Sequence, residues 1–385
     1  MYRNRSSARA CLVLASAASL VFGCGSGVAG RAAGAPALQS VAAQSRDERI
    51  PPYHARFGRT RPVIAIVGEN GGTELTDYVI PYGILRRADL GEIVPVATRP
   101  GPMTMRPALR LQPQGSVADF DARYPEGADY VVVPAVVRRD DPLLLAWIRD
   151  QAAKGSTLVS ICDGALVVAG SGVMDGHRAT AHWATAEYRR KHFPNVRWVD
   201  DRRYVADGRI VSSAGISAAI PTSLALVEAI AGRERAAAVA AEIGAPDWGP
   251  KHDSRRFRPR FGRNLSAFAM TQYLNGWFHT PQALGIPVGA GVDEVALALT
   301  ADAYTRTNRV QAYAFSPSRA PVETLHGLVV LPDRSETRSL DGQIAVPTAK
   351  PGRTLDRVLT DIARAYGRQT AYGVALDFEY PGFHG

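Results

Sequence analysis

The feature that most restricts this 385-residue chain is an apolar strand, Ser156–Ile161, that runs straight into Cys162-Asp163-Gly164 and then into the helical stretch ALVVAG. A strand that turns that sharply into a helix belongs to a sheet with helices packed on its faces. It also holds the residue at the turn above the sheet edge, against the positive end of the helix. Free amides and the dipole there favour a thiolate, the nucleophilic form of cysteine. A small buried thiol that only packs is the other reading of Cys162.

The surrounding sequence agrees. RPVIAIVG (61–68) is a continuous apolar run, as expected of a strand buried on both faces. A helix follows around 74–89, strands at Glu92–Thr98 and Asp129–Pro134, and an amphipathic helix at Pro142–Lys154 closed by Gly155. Tyr204–Ser213 carries Asp207-Gly208 between β-rich flanks, a hairpin signal, and Ser217–Ile230 reads as a further helix. Alternation of this kind predicts an α/β fold, a parallel-sheet three-layer sandwich, over residues 61–245.

Three blocks of this region resemble the DJ/ThiJ/PfpI superfamily, of the class-I glutamine amidotransferase-like fold. VSICDGALVVAGSGVMDGHRATAHW (159–183) is similar to its nucleophile elbow. DYVIPYGILRRA (77–88) is similar to its first helix, and RRYVADGRIVSSAGISAAIPTSLALVEAIAG (202–232) to its hairpin and following helix. The nearest flavour is the isocyanide-hydratase branch and the amidotransferase-like half of AraC-type regulators. The resemblance implies that Cys162 is the elbow cysteine and Asp77 the acid that manages its proton. It implies a supporting role for His182, and no cofactor. His177, His182 and His192, five and ten residues apart, do not share a helix face, so no metal site is expected.

Two departures from the family pattern bear on chemistry. Asp163 follows the cysteine; its charge disfavours a thiolate, while its side chain could cap the new helix. After the third strand the sequence is Pro134-Ala135-Val136, where relatives carry Pro-Gly-Gly. Side chains there narrow the space in which an oxyanion would sit, leaving the amides of Ala135 and Asp163 as its donors.

Residues 1–24 read as an export signal. Arg3, Arg5 and Arg9 precede a 13-residue apolar stretch, Cys11 to Gly23, too short to span a bilayer, and no later run reads as long enough. Leu20-Val21-Phe22-Gly23-Cys24 resembles a lipobox, which makes Cys24 a lipidation site and the cell envelope the expected location, with soluble secretion as the alternative. Residues 25–60, rich in Gly, Ala, Ser and Pro, read as a flexible tether. Beyond Cys11 and Cys24 only Cys162 remains, so no disulfide framework is expected.

The net charge of +9 is local. The three N-terminal arginines carry three, and 251–263 (Lys251, five Arg, one Asp) carries five, which leaves one for the remainder. A broad nucleic-acid-binding face is therefore not expected. Residues 246–265 read as a basic Pro/Arg-rich linker. Residues 266–385 read as a partial second α/β unit, a degenerate half-copy of the same fold lacking the cysteine. Arg309–Ser316 parallels Ile93–Arg99, 323–333 parallels 103–113, and 343–347 parallels 130–134. The arrangement suggests either a homodimer or an intrachain pseudo-dimer.

Two functional readings follow. The first is a cysteine-dependent hydratase, hydrolase or glyoxalase-like enzyme acting on a small electrophile. The second is a binding or redox-sensing module of the same fold, in which Cys162 lines a ligand pocket or is oxidised. A transcription regulator is a third, disfavoured because 246–385 reads as strands plus one long helix rather than helix-turn-helix units.

Overall fold

The computed structural model describes residues 48–384. The expected export signal, Cys24 and most of the tether lie outside these residues. Residues 48–60, expected to belong to that tether, are instead fixed to the domain. Glu48 and Ile50 are buried, the Tyr53 amide bonds to Ala229, and Arg56 and Arg59 both reach Asp129.

The first half is built on β1 (Val63–Gly68), β2 (Glu92–Ala97), β3 (Gly115–Ser116), β4 (Tyr130–Val133), β5 (Thr157–Ser160), β6 (Tyr204–Asp207) and β7 (Ile210–Ser213). Their order is β6-β7-β5-β4-β1-β2-β3, parallel except for the β6–β7 hairpin. Alternate residues of β1 divide between two cores: Ile64 and Ile66 face one, Val63, Ala65 and Val67 the other. This is the three-layer α/β sandwich, and it explains why β1 is apolar throughout.

Helices α1 (Leu75–Arg87), α2 (Pro142–Ala153), α3 (Gly164–Gly170) and α4 (Ala219–Ile243) complete the first half. The run 216–243 is long and apolar enough to cross a membrane, contrary to the sequence reading, but most of it is buried inside the protein and it breaks at Gly232 (φ 84°, ψ 166°). Two elements that periodicity did not give are antiparallel arms, Met103–Arg106 and Arg110–Gln112.

The second half carries β8 (Gln282–Pro287), α5 (Glu294–Thr305), β9 (Val310–Phe315), β10 (Gly342–Gln343), α6 (Thr354–Tyr366) and α7 (Arg368–Asp377). Its parallel sheet runs β9-β8-β10, the same arrangement as β2-β1-β4. Asp89 (φ 48°) stands two residues after Arg87, and Asn308 (φ 54°) two residues after Arg306, so α1 and α5 end alike, 219 residues apart (308 − 89, 306 − 87). Gly232 in α4 and Gly367 between α6 and α7 (φ 90°, ψ 152°) break their helix pairs in the same conformation, 135 residues apart (367 − 232). The second interval is shorter because the second half has no elements placed like α2, β5, α3 and the hairpin between its sheet and its final helices.

The two halves face one another through α1 and α5. Their arms join as well: Val329–Val330 pairs antiparallel with Leu111–Gln112, which draws the strands of both halves into one small sheet. The connector 246–265 is not a loose linker. Trp248 and Phe257 pack against the cores, and His252 is hydrogen-bonded to Glu379 within the fold.

Candidate functional site

Cys162 occupies the tip of the strand-to-helix turn with φ 54°, a left-handed conformation that a side chain adopts only where its surroundings impose it. Gly164 makes the turn tight: a Cβ there would come within 2.0 Å of the Val133 carbonyl oxygen. The Cys162 amide donates to Ser213 Oγ (3.0 Å), a bond from the end of β7 that fixes the turn from the other side.

The thiol is buried at 6% exposure. The helix-terminus argument predicts a thiolate here, and the structure gives the opposite. Burial, then the charges of Asp77, Asp163 and Glu74, push the thiol well above its ordinary value, against only the Asp163 amide directed at it. Three carboxylates in a dry site outweigh one end of a seven-residue helix.

Asp77, from the first turn of α1, is fully buried. Its Oδ2 accepts from the Ala135 amide (3.2 Å), and its Oδ1 has no partner among the described residues. Burial pushes this carboxyl well up, more than the Ala135 amide and the Arg306 guanidinium pull it down. It therefore holds its proton more tightly than an ordinary carboxyl, beside the thiol.

Of the two expected oxyanion donors, the Asp163 amide faces the thiol and the Ala135 amide is engaged elsewhere. The Ala135 amide is spent on Asp77, and its carbonyl accepts from Glu74 (2.9 Å), while the Val137 amide bonds to Gly72 (2.8 Å). The Pro-Ala-Val segment is thus zipped against 72–74 rather than left open as a cradle. Asp163 does not cap α3 with its side chain; its Oδ1 accepts from Thr185 Oγ1 at 2.7 Å. Burial pushes the Asp163 carboxyl up, against that hydroxyl bond.

His182 lies in this neighbourhood, yet both ring nitrogens are committed. Nδ1 accepts from the Ala184 amide (3.2 Å), which leaves Nε2–H to donate to the Asp377 carbonyl (2.8 Å). The ring is therefore a fixed strut between the elbow and the C-terminal segment, both of its nitrogens hydrogen-bonded.

What the sequence did not reveal is the contribution of the second half. Arg306, at the end of α5, bonds Glu74 (2.5 Å), Asp302 (2.5 Å) and Asp377 (2.5 Å). Glu74 and Asp302 lie close enough to act on one another, and Asp302 accepts from Thr76 Oγ1 (3.0 Å). Burial pushes both carboxyls up, while Arg306 draws them down. The first turn of α1, which carries Asp77, is thereby pinned by residues more than 200 positions away in sequence.

Two open grooves, of about 720 and 450 Å³, lie on the described surface; neither is lined by Cys162 or Asp77. The site itself is a compact, buried thiol–acid pair.

Residues 63–229 match the DJ-1/PfpI family. Isonitrile hydratase of Pseudomonas putida is 28% identical over 189 residues, 45% of this chain and 79% of that protein. The HTH-type transcriptional regulator CdhR of Pseudomonas aeruginosa is 30% identical over 122 residues, 32% of this chain and 36% of the regulator. The crystal structure of Drosophila melanogaster DJ-1beta is 23% identical, covering 47% of this chain and 96% of that one, with a TM-score of 0.42.

Proposed function

Because residues 63–229 form a DJ-1/PfpI family domain, we propose that Cys162 and Asp77 add water to a small, linear electrophile, and that an isonitrile is the class that suits them. The observation that carries this is the Ala135 amide, which donates to Asp77 instead of facing the thiol. Acyl transfer and carbonyl addition generate an oxyanion that needs such donors. Addition to an isonitrile does not: its terminal carbon takes a proton and a nucleophile together, which calls for an acid beside a thiol.

In that reaction Asp77 gives its proton to the terminal carbon as Sγ bonds to the same atom, and the thiol proton passes to the Asp77 carboxylate. A thioimidate, R–N=CH–S, results. Water adds to its carbon, with Asp77 taking a proton from the water and giving one to nitrogen. The C–S bond then breaks, the hydroxyl proton returns to sulfur, and the product is the N-substituted formamide. The isonitrile hydratase relative supports the class. The redox-sensing alternative is weakened by the same site, since a thiol kept protonated is a poor target for peroxide.

The test is formamide production from a small alkyl isonitrile, set beside p-nitrophenyl acetate and methylglyoxal. Isonitrile turnover that vanishes in Cys162→Ala and falls by roughly 100-fold or more in Asp77→Asn is expected. Faster turnover of the ester or the aldehyde, or no isonitrile turnover, would overturn the assignment.

We propose further that residues 1–24 direct export and that Cys24 receives lipid, on the sequence pattern alone. Metabolic labelling with palmitate, abolished by Cys24→Ser, is the expected result; labelling of neither protein would refute it.

A further inference from the structure

The connector between the halves and the helical run after it leave a band of large apolar side chains in water. Phe261, Trp277 and Phe278 are 94%, 73% and 72% exposed, and Tyr273 and Leu265 are 50% and 42% exposed. The opposite face of 265–278 is engaged. Ala267, Thr271 and Asn275 are buried, Gly373 of α7 closes on Ala267 and Thr271, and Asn275 donates to Thr370. Leu265, Tyr273 and Trp277 therefore project away from the protein, and the Tyr273 and Trp277 rings lie 5.6 Å apart as one surface. Single exposed apolar residues are ordinary; five within one short stretch are not.

The basic residues stand beside this band. Of the six in 251–263, Arg255 pairs with Asp201 and Asp253, and Arg258 with Asp200. Lys251, Arg256, Arg260 and Arg263 have no ion-pair partner among the described residues, and all four are exposed. Arg260 precedes Phe261 directly and Arg263 follows two residues after it.

We propose that this band is a docking surface for an anionic lipid bilayer. The rings of Phe261, Tyr273, Trp277 and Phe278 would sit at headgroup depth, where an amphipathic aromatic is at home, and the four unpaired cations would meet lipid phosphates. The charge decides between occupants. A second copy docked through the same face would set four unpaired cations against four more. Single-stranded nucleic acid needs aromatics lining a basic groove, whereas Leu265, Tyr273 and Trp277 stand out from a helix. This surface is independent of any lipid on Cys24 and of the chemistry at Cys162.

Residues 48–385, which contain the whole described core, are mixed with vesicles of phosphatidylcholine alone or with added phosphatidylglycerol, and sedimented. Binding is expected only to the anionic vesicles, and high salt should release the protein. At about fivefold per basic residue, Arg256→Gln/Arg260→Gln/Arg263→Gln should weaken partition by roughly 100-fold. Phe261→Ser/Trp277→Ser/Phe278→Ser should weaken it at least ~10-fold with unchanged thermal unfolding. Equal binding to neutral vesicles, or triple variants that bind like the parent, would overturn the proposal. So would a serine variant that turns a dimer into a monomer by light scattering, or tighter binding to oligothymidylate than to vesicles.

Discussion

Arg87 and Arg306 hold corresponding places, one at the end of α1 and the other at the end of α5, and each reaches across to an acid of the opposite half. Arg306 bonds Glu74 before α1, and Arg87 bonds Asp293, which precedes α5 by the same spacing (293 − 74 = 306 − 87). Each then takes a second acid ten residues beyond a matching helix break: Asp377 after Gly367 for Arg306, Glu242 after Gly232 for Arg87. The halves are thus clasped by two related ion clusters, of which only the Arg306 cluster abuts the thiol.

The clusters should differ in energy. Replacing Arg306 with Met leaves Glu74, Asp302 and Asp377 without their shared cation, and Asp302 is fully buried. A loss of about 3–5 kcal/mol in urea unfolding is expected. Arg87→Met should cost less, since Glu242 is 58% exposed and can keep its water, and the buried Glu294, 3.6 Å from Arg87, retains its His326 partner. Equal losses would contradict this ranking.

The thiol should be slow to alkylate at neutral pH. Burial and three acids push Cys162 up, so its iodoacetamide rate should rise only in the alkaline range. Asp77 ionises before the thiol does, so Asp77→Asn removes a negative charge and should move the alkylation profile to lower pH. A profile that ignores the substitution would show that Asp77 does not act on Sγ.

Two groups of acids should give opposite pH slopes. Glu74, Asp77 and Asp302 sit above the ordinary carboxylate range, so the folded protein holds protons the unfolded chain has released. Their contribution is full below about pH 4 and is lost as pH rises through the raised values. Glu74→Gln should flatten that alkaline decline. Glu379 is the reverse: burial opposes its charge, but the His252 hydrogen bond and nearby groups hold it low. Its contribution is present above the usual range and lost as pH falls through the depressed value. His252→Ala should begin acid unfolding at higher pH, read by circular dichroism across a pH series.

The elbow should not tolerate a methyl group. In Gly164→Ala the new Cβ meets the Val133 carbonyl oxygen and the Pro134 backbone, neither of which can yield without moving β4. A loss of about 3 kcal/mol or more is expected in thermal unfolding. Gly172→Ala meets nothing within 4 Å but has φ 84°, so it should lose less, about 1 kcal/mol.

The sequence was most legible where the signal was local. The apolar β1, the strand running into Cys162 and the Asp207-Gly208 hairpin each carry their pattern within a few residues. The placement of Asp77 came from a family resemblance and not from spacing. What escaped was non-local: the Ala135 amide meeting Asp77, His182 fixed by Asp377, and Arg306 arriving beside Glu74. No periodicity encodes which buried donor a distant acceptor will find. The thiolate expectation met a related obstacle, since a helix end is visible in sequence whereas the burial of Cys162 and the gathering of Asp77, Asp163 and Glu74 around it arise only in the fold.

Carrying both halves in one chain sets how the α1–α5 pairing responds to dilution. Between separate subunits such a pairing dissociates as protein becomes scarce, and whatever it organises goes with it. Here the partner is tethered at a fixed effective concentration, so Arg306 reaches Glu74 as readily in one isolated molecule as in a concentrated solution.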